Sequence, residues 1–151
     1  MIQRVQSLYL LAVLILCIVC MCFSVGRFVG ENGDVVAVLN NLTLEVGEQT
    51  SFRPWALFVE LVLVCILSFF TIFTYKKRMR QIRMTIFSSI VLIGWYVTYG
   101  LFIYCLSGDL EASFRPSLMA AFPLVSIILN YLAIRAIGAD EFLVRSLDRI
   151  R

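Results

Sequence analysis

The sequence predicts an all-α membrane protein: four transmembrane helices, both termini cytoplasmic, and a small extracytoplasmic β-hairpin between helices one and two. Three observations lead there. Of 151 residues, 61% are hydrophobic and only 15% charged, with a mean hydropathy of +0.92; a typical soluble domain carries about 25% charged residues. The apolar residues fall in four runs, at about 8–25, 55–75, 84–106 and 116–137. Each is near the ~20 residues that a helix needs to cross a hydrocarbon core of about 30 Å. Finally, the basic residues are unevenly divided. Arg4, Lys76, Lys77, Arg78, Arg80, Arg83, Arg135, Arg145, Arg149 and Arg151 fall on one side of the four helices, and only Arg27, Arg53 and Arg115 on the other. This ten-to-three split puts both termini inside by the positive-inside rule. No nucleic-acid signature accompanies it.

The first run, "LYLLAVLILCIVCMCFSV" at Leu8–Val25, imitates a signal peptide but is long for a signal core. It is read as a retained helix. Its three cysteines, Cys17, Cys20 and Cys22, sit among Leu, Ile and Val. Buried thiols of this kind behave as small hydrophobes, so neither a metal site nor a disulfide framework is expected. The outer loop, 27–53, holds the turn signal "ENGD" and then "VVAVL", "NN" and "LTLEV". Asn tolerates the positive φ of a tight turn, so the two apolar runs should form a hairpin with Leu42, Leu44 and Val46 on one face. "NLT" at Asn41–Thr43 also matches a glycosylation acceptor, a match common by chance.

The inner loop, 76–83, is the basic stretch "KKRMRQIR", and a cytoplasmic tail occupies 138–151. Lys76, Lys77, Arg78, Arg80 and Arg83 are candidates for contact with anionic lipid at the cytoplasmic face or with a partner. In the tail, Gly138 should end helix four and Asp140 should cap a new amphipathic helix. Leu143, Leu147 and Ile150 would form its apolar face, with Arg145 and Arg149 facing lipid head groups or a partner.

The tetrapeptide "SFRP" occurs at Ser51–Pro54 and at Ser113–Pro116. Each copy precedes an apolar run, so the two are expected to mark equivalent helix starts. Inside the helices, Glu60 is the most informative residue, because an ionisable group within a membrane segment is costly. It could act in function, or pair with Arg53 or Arg115. Asn130 is positioned to hydrogen-bond between helices, Arg135 to snorkel to the inner interface, and Pro123 to kink helix four. Gly94, Thr98 and Gly100 should allow close helix approach.

The chain contains no histidine, no phosphate-binding glycine loop and no nucleophile elbow. No catalytic, cofactor or metal residues are therefore assigned, and no enzyme is expected. "MIQRVQSLYLL" at the start and "FPLVSIILNYLAIRAIGADEFLVRSLDRIR" at the end resemble the small bacterial membrane proteins of domain-of-unknown-function family 4293. The resemblance implies a multi-pass protein of the bacterial cytoplasmic (inner) membrane, and it brings no activity or substrate. The outer hairpin on four helices also resembles the plan of cell-contact proteins such as claudins. The functional expectation is a non-enzymatic accessory or scaffolding component with a membrane-protein partner or a second copy of itself. The alternative is a small oligomeric transporter or channel-like protein using Glu60 and Asn130.

Overall fold

A computed structural model of the chain describes residues 2–74 and 77–149. Four helices are long and apolar enough to cross a membrane. They are α1 (Ile2–Cys22), α2 (Trp55–Phe73), α3 (Arg78–Leu110) and α4 (Phe122–Asp148). Each packs chiefly on two others: α1 on α2 and α4, and α3 on α2 and α4. Only 22–33% of the residues in their apolar windows are buried within the structure. Many of the other apolar side chains, such as Ile15, Phe69, Ile90 and Ile128, are exposed. A surface of that kind suits lipid, where every backbone polar group must be satisfied within its own helix. With 33 residues, α3 is about 50 Å long and overruns the apolar window at both ends.

At one end of the bundle lies a sheet, which corrects the expectation of an all-α fold with one hairpin. Five antiparallel strands run in the order β4-β3-β2-β1-β5. They are β1 (Gly26–Val29), β2 (Val35–Leu39), β3 (Leu44–Val46), β4 (Gln49–Ser51) and β5 (Ser113–Pro116). The expected hairpin is its centre, with Ala37 opposite Val46 and Leu39 opposite Leu44. Its turn works differently from the prediction. Glu111 is the sole non-glycine residue with positive φ among the described residues, so neither Asn40 nor Asn41 uses left-handed backbone. Asn40 Nδ2 instead donates to Thr43 Oγ1 and Glu45 Oε1, both at 3.1 Å. Asn41 turns inward, fully buried, and its Nδ2 donates to Cys20 O at 2.6 Å. That carbonyl belongs to the last turn of α1, where no intrahelical donor remains. The "NLT" asparagine is thus structural, and Leu42 lies outside β3 and is exposed.

The two SFRP copies are not equivalent. The second is β5 itself, paired residue for residue with β1. In the first, only Ser51 belongs to a strand, and Pro54 directly precedes α2. The second copy is followed by a short 3₁₀ helix, Leu118–Ala121, before α4 begins. Pro123 therefore stands in the first turn of α4, where its missing N–H interrupts nothing, and it makes no kink. At the other end α4 runs unbroken through Gly138 and Asp140 to Asp148. The tail is a continuation of α4 rather than a separate helix.

One apolar cluster joins bundle and sheet. Phe28, Ala37, Leu39 and Leu44 from the sheet meet Leu57 and Leu61 of α2 and Trp95, Tyr99 and Leu106 of α3. Trp95 stacks on Tyr99 with ring centroids 4.9 Å apart, and Tyr99 meets Phe114 edge-on at 5.8 Å. Tyr99 Oη donates to Val25 O at 2.8 Å, which ties the middle of α3 to the start of β1.

Candidate functional site

The polar residues inside the bundle face one another across helix interfaces. Glu60, half-buried on α2, accepts a hydrogen bond from Thr98 Oγ1 of α3 at 2.9 Å. Neither of its expected partners is used. Arg53 lies 3.8 Å from Asp109, and Arg115 stands on β5. Glu60 Oε2 has no partner among the described residues. Asn130 of α4 is fully buried, and its Nδ2 donates to Ser88 Oγ of α3 at 3.3 Å. Thr98 and Ser88 are ten residues apart on α3, about 15 Å along its axis. Glu60 and Asn130 therefore occupy separate interfaces. Arg135 is exposed on α4 and joins neither of them.

A set of smaller buried polar residues escaped the sequence reading: Gln6, Ser68, Thr71, Thr85 and Ser126. Thr71 donates to Leu67 O at 2.6 Å, Thr85 to Gln81 O at 2.9 Å and Ser126 to Phe122 O at 3.0 Å. Such bonds to the carbonyl one turn back conceal hydroxyls within a helix. Gln6 Nε2 reaches across to Ala136 O of α4 at 3.2 Å, a link of the kind that holds helices together in lipid. Gly94 and Gly100 face open space, so the close approach expected at these glycines does not occur.

The cysteines of α1 diverge. Cys17 and Cys20 are buried and Cys22 is exposed. The Cys17 thiol faces Ser126 Oγ at 3.9 Å, and that of Cys20 faces Met119 O at 3.5 Å. They make polar contacts with other elements and do not converge on a common centre.

The basic end does assemble. Arg78, at the start of α3, lies 3.2 Å from Asp140 Oδ2 and donates through Nη1 to Asp140 O at 3.2 Å. The carboxylate is at ion-pair distance but makes no well-directed hydrogen bond. Asp140 thus clamps α4 to α3, where the sequence suggested a helix cap. A cleft of about 480 Å³ opens beside the clamp, lined by Lys77, Arg78, Met79, Arg80, Glu141 and Val144. Arg145 pairs with Glu141 at 3.0 Å. Arg83 and Arg149 are exposed, as are Phe142, Leu143 and Leu147. Lys76, Ile150 and Arg151 lie outside the described residues. The end combines cationic side chains with an uncovered apolar strip.

The opposite end carries the sheet, with six carboxylates, Glu31, Asp34, Glu45, Glu48, Asp109 and Glu111, and three arginines, Arg27, Arg53 and Arg115. β4 and β5 are its edges, and each has one side without a neighbouring strand among the described residues. A cleft of about 290 Å³ lies between β3, β4 and the end of α3, lined in part by Leu44, Val46, Thr50, Leu106 and Asp109.

The geometry defines a four-helix chain with membrane-length apolar helices, an antiparallel sheet at one end and a basic cleft at the other. The chain belongs to the family described as "Domain of unknown function (DUF4293)", whose profile matches residues 2–150. Comparison with curated proteins returned no match.

Proposed function

We propose that the protein is a multi-pass, non-enzymatic accessory or scaffolding component of a bacterial cytoplasmic membrane, with the sheet outside and the basic end in the cytoplasm. The charge partition between the two ends is the observation that carries this reading. Among the described residues, every lysine and arginine other than Arg27, Arg53 and Arg115 belongs to the end opposite the sheet, and such an excess marks the cytoplasmic side. There the cationic cleft and the exposed Leu143 and Leu147 suit anionic lipid. Outside, an open sheet edge can accept a strand from a membrane-protein partner or a second copy.

Supporting this, Gln6, Glu60 and Asn130 each take part in a hydrogen bond between two helices. A transport path using both Glu60 and Asn130 would have to link two different interfaces about 15 Å apart along α3, so the accessory reading is preferred.

The test is purification of the intact chain in mild detergent, followed by mass spectrometry of what accompanies it. A stoichiometric partner is expected. It should be lost with Thr50→Pro, because proline removes a strand N–H and is poorly accommodated in a paired edge. Recovery of the parent chain alone, as a monomer and at full yield, would contradict the proposal.

A further inference from the structure

Two of the three arginines at the sheet end are neighbours. Arg27 of β1 and Arg115 of β5 stand directly opposite each other in the antiparallel ladder. Such partners hold their Cβ atoms about 4.5–5.5 Å apart, and like charges there repel. Both side chains are exposed. By strand alternation they lie on the face opposite the packed Phe28 and Phe114 rings. The next residue on their rung is Val38. Glu45 follows beyond it and is bonded to Asn40. Among the described residues no carboxylate lies within 4 Å of either guanidinium. Arg53 makes the contrast, since it has Asp109 beside it at 3.8 Å.

The setting gives this paired charge a shape. A recess of about 380 Å³ is lined by both arginines together with Val29, Gly33, Val35 and Ser117. Gly33, at φ +84°, forms part of the turn beside it. A guanidinium offers several N–H donors in a fixed plane. Two such planes side by side can surround a tetrahedral anion from two directions with charge-assisted bonds. The next rung, Gly26 opposite Pro116, leads into the helices. Ser117 N donates to Val25 O at 3.0 Å, and Leu118 is already an exposed apolar residue. The arginines therefore stand where the apolar helix surface begins. In a bilayer that is the level of the polar head groups.

We infer that Arg27 and Arg115 form an anion site that holds a phosphate group, carried by a phospholipid head group or free in solution. The lipid source rests on the membrane-spanning reading; the free-phosphate source does not. The experiment uses the full chain in non-ionic detergent and follows its melting temperature. The additions are dihexanoyl phosphatidylglycerol, inorganic phosphate, and sodium chloride at matched ionic strength. Both phosphate compounds should raise the melting temperature above the chloride reference, by roughly 5 °C near saturation. Arg27→Gln and Arg115→Gln should each weaken the apparent affinity about tenfold, the loss expected for one charge-assisted bond. Arg53→Gln, which removes the same charge at the same end, should leave the affinity unchanged.

In chloride alone, each single variant should melt at or above the parent temperature, because a like-charge contact has been relieved. A response to the lipid at far lower concentration than to inorganic phosphate would identify a head-group site. Equal responses at equal concentration would identify a free-phosphate site. The inference is overturned if neither compound raises the melting temperature, or if the rise survives in the double variant. It is also overturned if the single variants melt lower than the parent in chloride, which would make the arginines structural.

Discussion

Trp95→Ala is expected to lower the stability of the detergent-solubilised protein by about 3 kcal/mol, the lower end of the range for removing a buried large aromatic. Trp95 is the largest fully buried side chain, 0% exposed. It lies midway along α3, between the rings of Tyr96 and Tyr99, at centroid distances of 5.1 and 4.9 Å. In an apolar solvent the transfer contribution shrinks, because lipid is as apolar as the core. The cavity and the lost ring contacts remain, and they set the lower end. Trp95→Phe should cost much less. The indole Nε1 has no hydrogen-bond partner among the described residues, so no bond is lost with it. Thermal unfolding of the three proteins in one detergent gives the comparison. Equal losses for Ala and Phe would show that stacking on Tyr99 is not what anchors the residue.

Gly26→Val is expected to be the next most damaging change, at about 2–3 kcal/mol, as for overpacking a tight core. A Cβ added at Gly26 would overlap the ring of Phe114. That ring cannot move away cheaply, since it packs on Phe28 at 5.0 Å and on Tyr99 at 5.8 Å. Among the described residues β5 pairs only with β1, so the substitution should loosen β5 specifically. Adding Phe114→Ala should then cost less in the Gly26→Val chain than in the parent, with a coupling of about 1 kcal/mol or more. Strict additivity of the two losses would exclude the contact as the cause.

These two sites show where the sequence was readable. The four helices were legible because long apolar runs report a solvent requirement that each segment meets by itself. The central hairpin was legible because its strands are adjacent in the chain. β5 was not, since it is a four-residue strand whose strand partner among the described residues, β1, lies beyond α2 and α3. β1, though it also pairs with the adjacent β2, is equally short. Nothing local in "GRFV" or "SFRP" announces that pairing, and Gly and Pro argue against strands. The repeated SFRP then misled, because identical tetrapeptides took up different backbone settings. The tail erred in the opposite sense: Gly138 and Asp140 carry cap chemistry, but packing on α3 and the Arg78–Asp140 pair hold α4 straight through them. Glu60 and Asn130, the two polar residues singled out in the apolar runs, each bond across a helix interface. Their partners Thr98 and Ser88 became visible only once the helices were laid side by side.

The central claim is that four helices cross a bilayer with the sheet outside and the basic cleft inside. Ser113→Cys on β5 and Arg80→Cys beside the cleft test it most directly, since both positions are exposed. The exposed native thiols Cys22 and Cys105 are first replaced by serine. Intact cells are then treated with a membrane-impermeant maleimide, before and after permeabilisation. The account predicts that Ser113→Cys labels in intact cells and that Arg80→Cys labels only after permeabilisation. Labelling of Arg80→Cys in intact cells, with Ser113→Cys protected, would invert the topology and contradict the account.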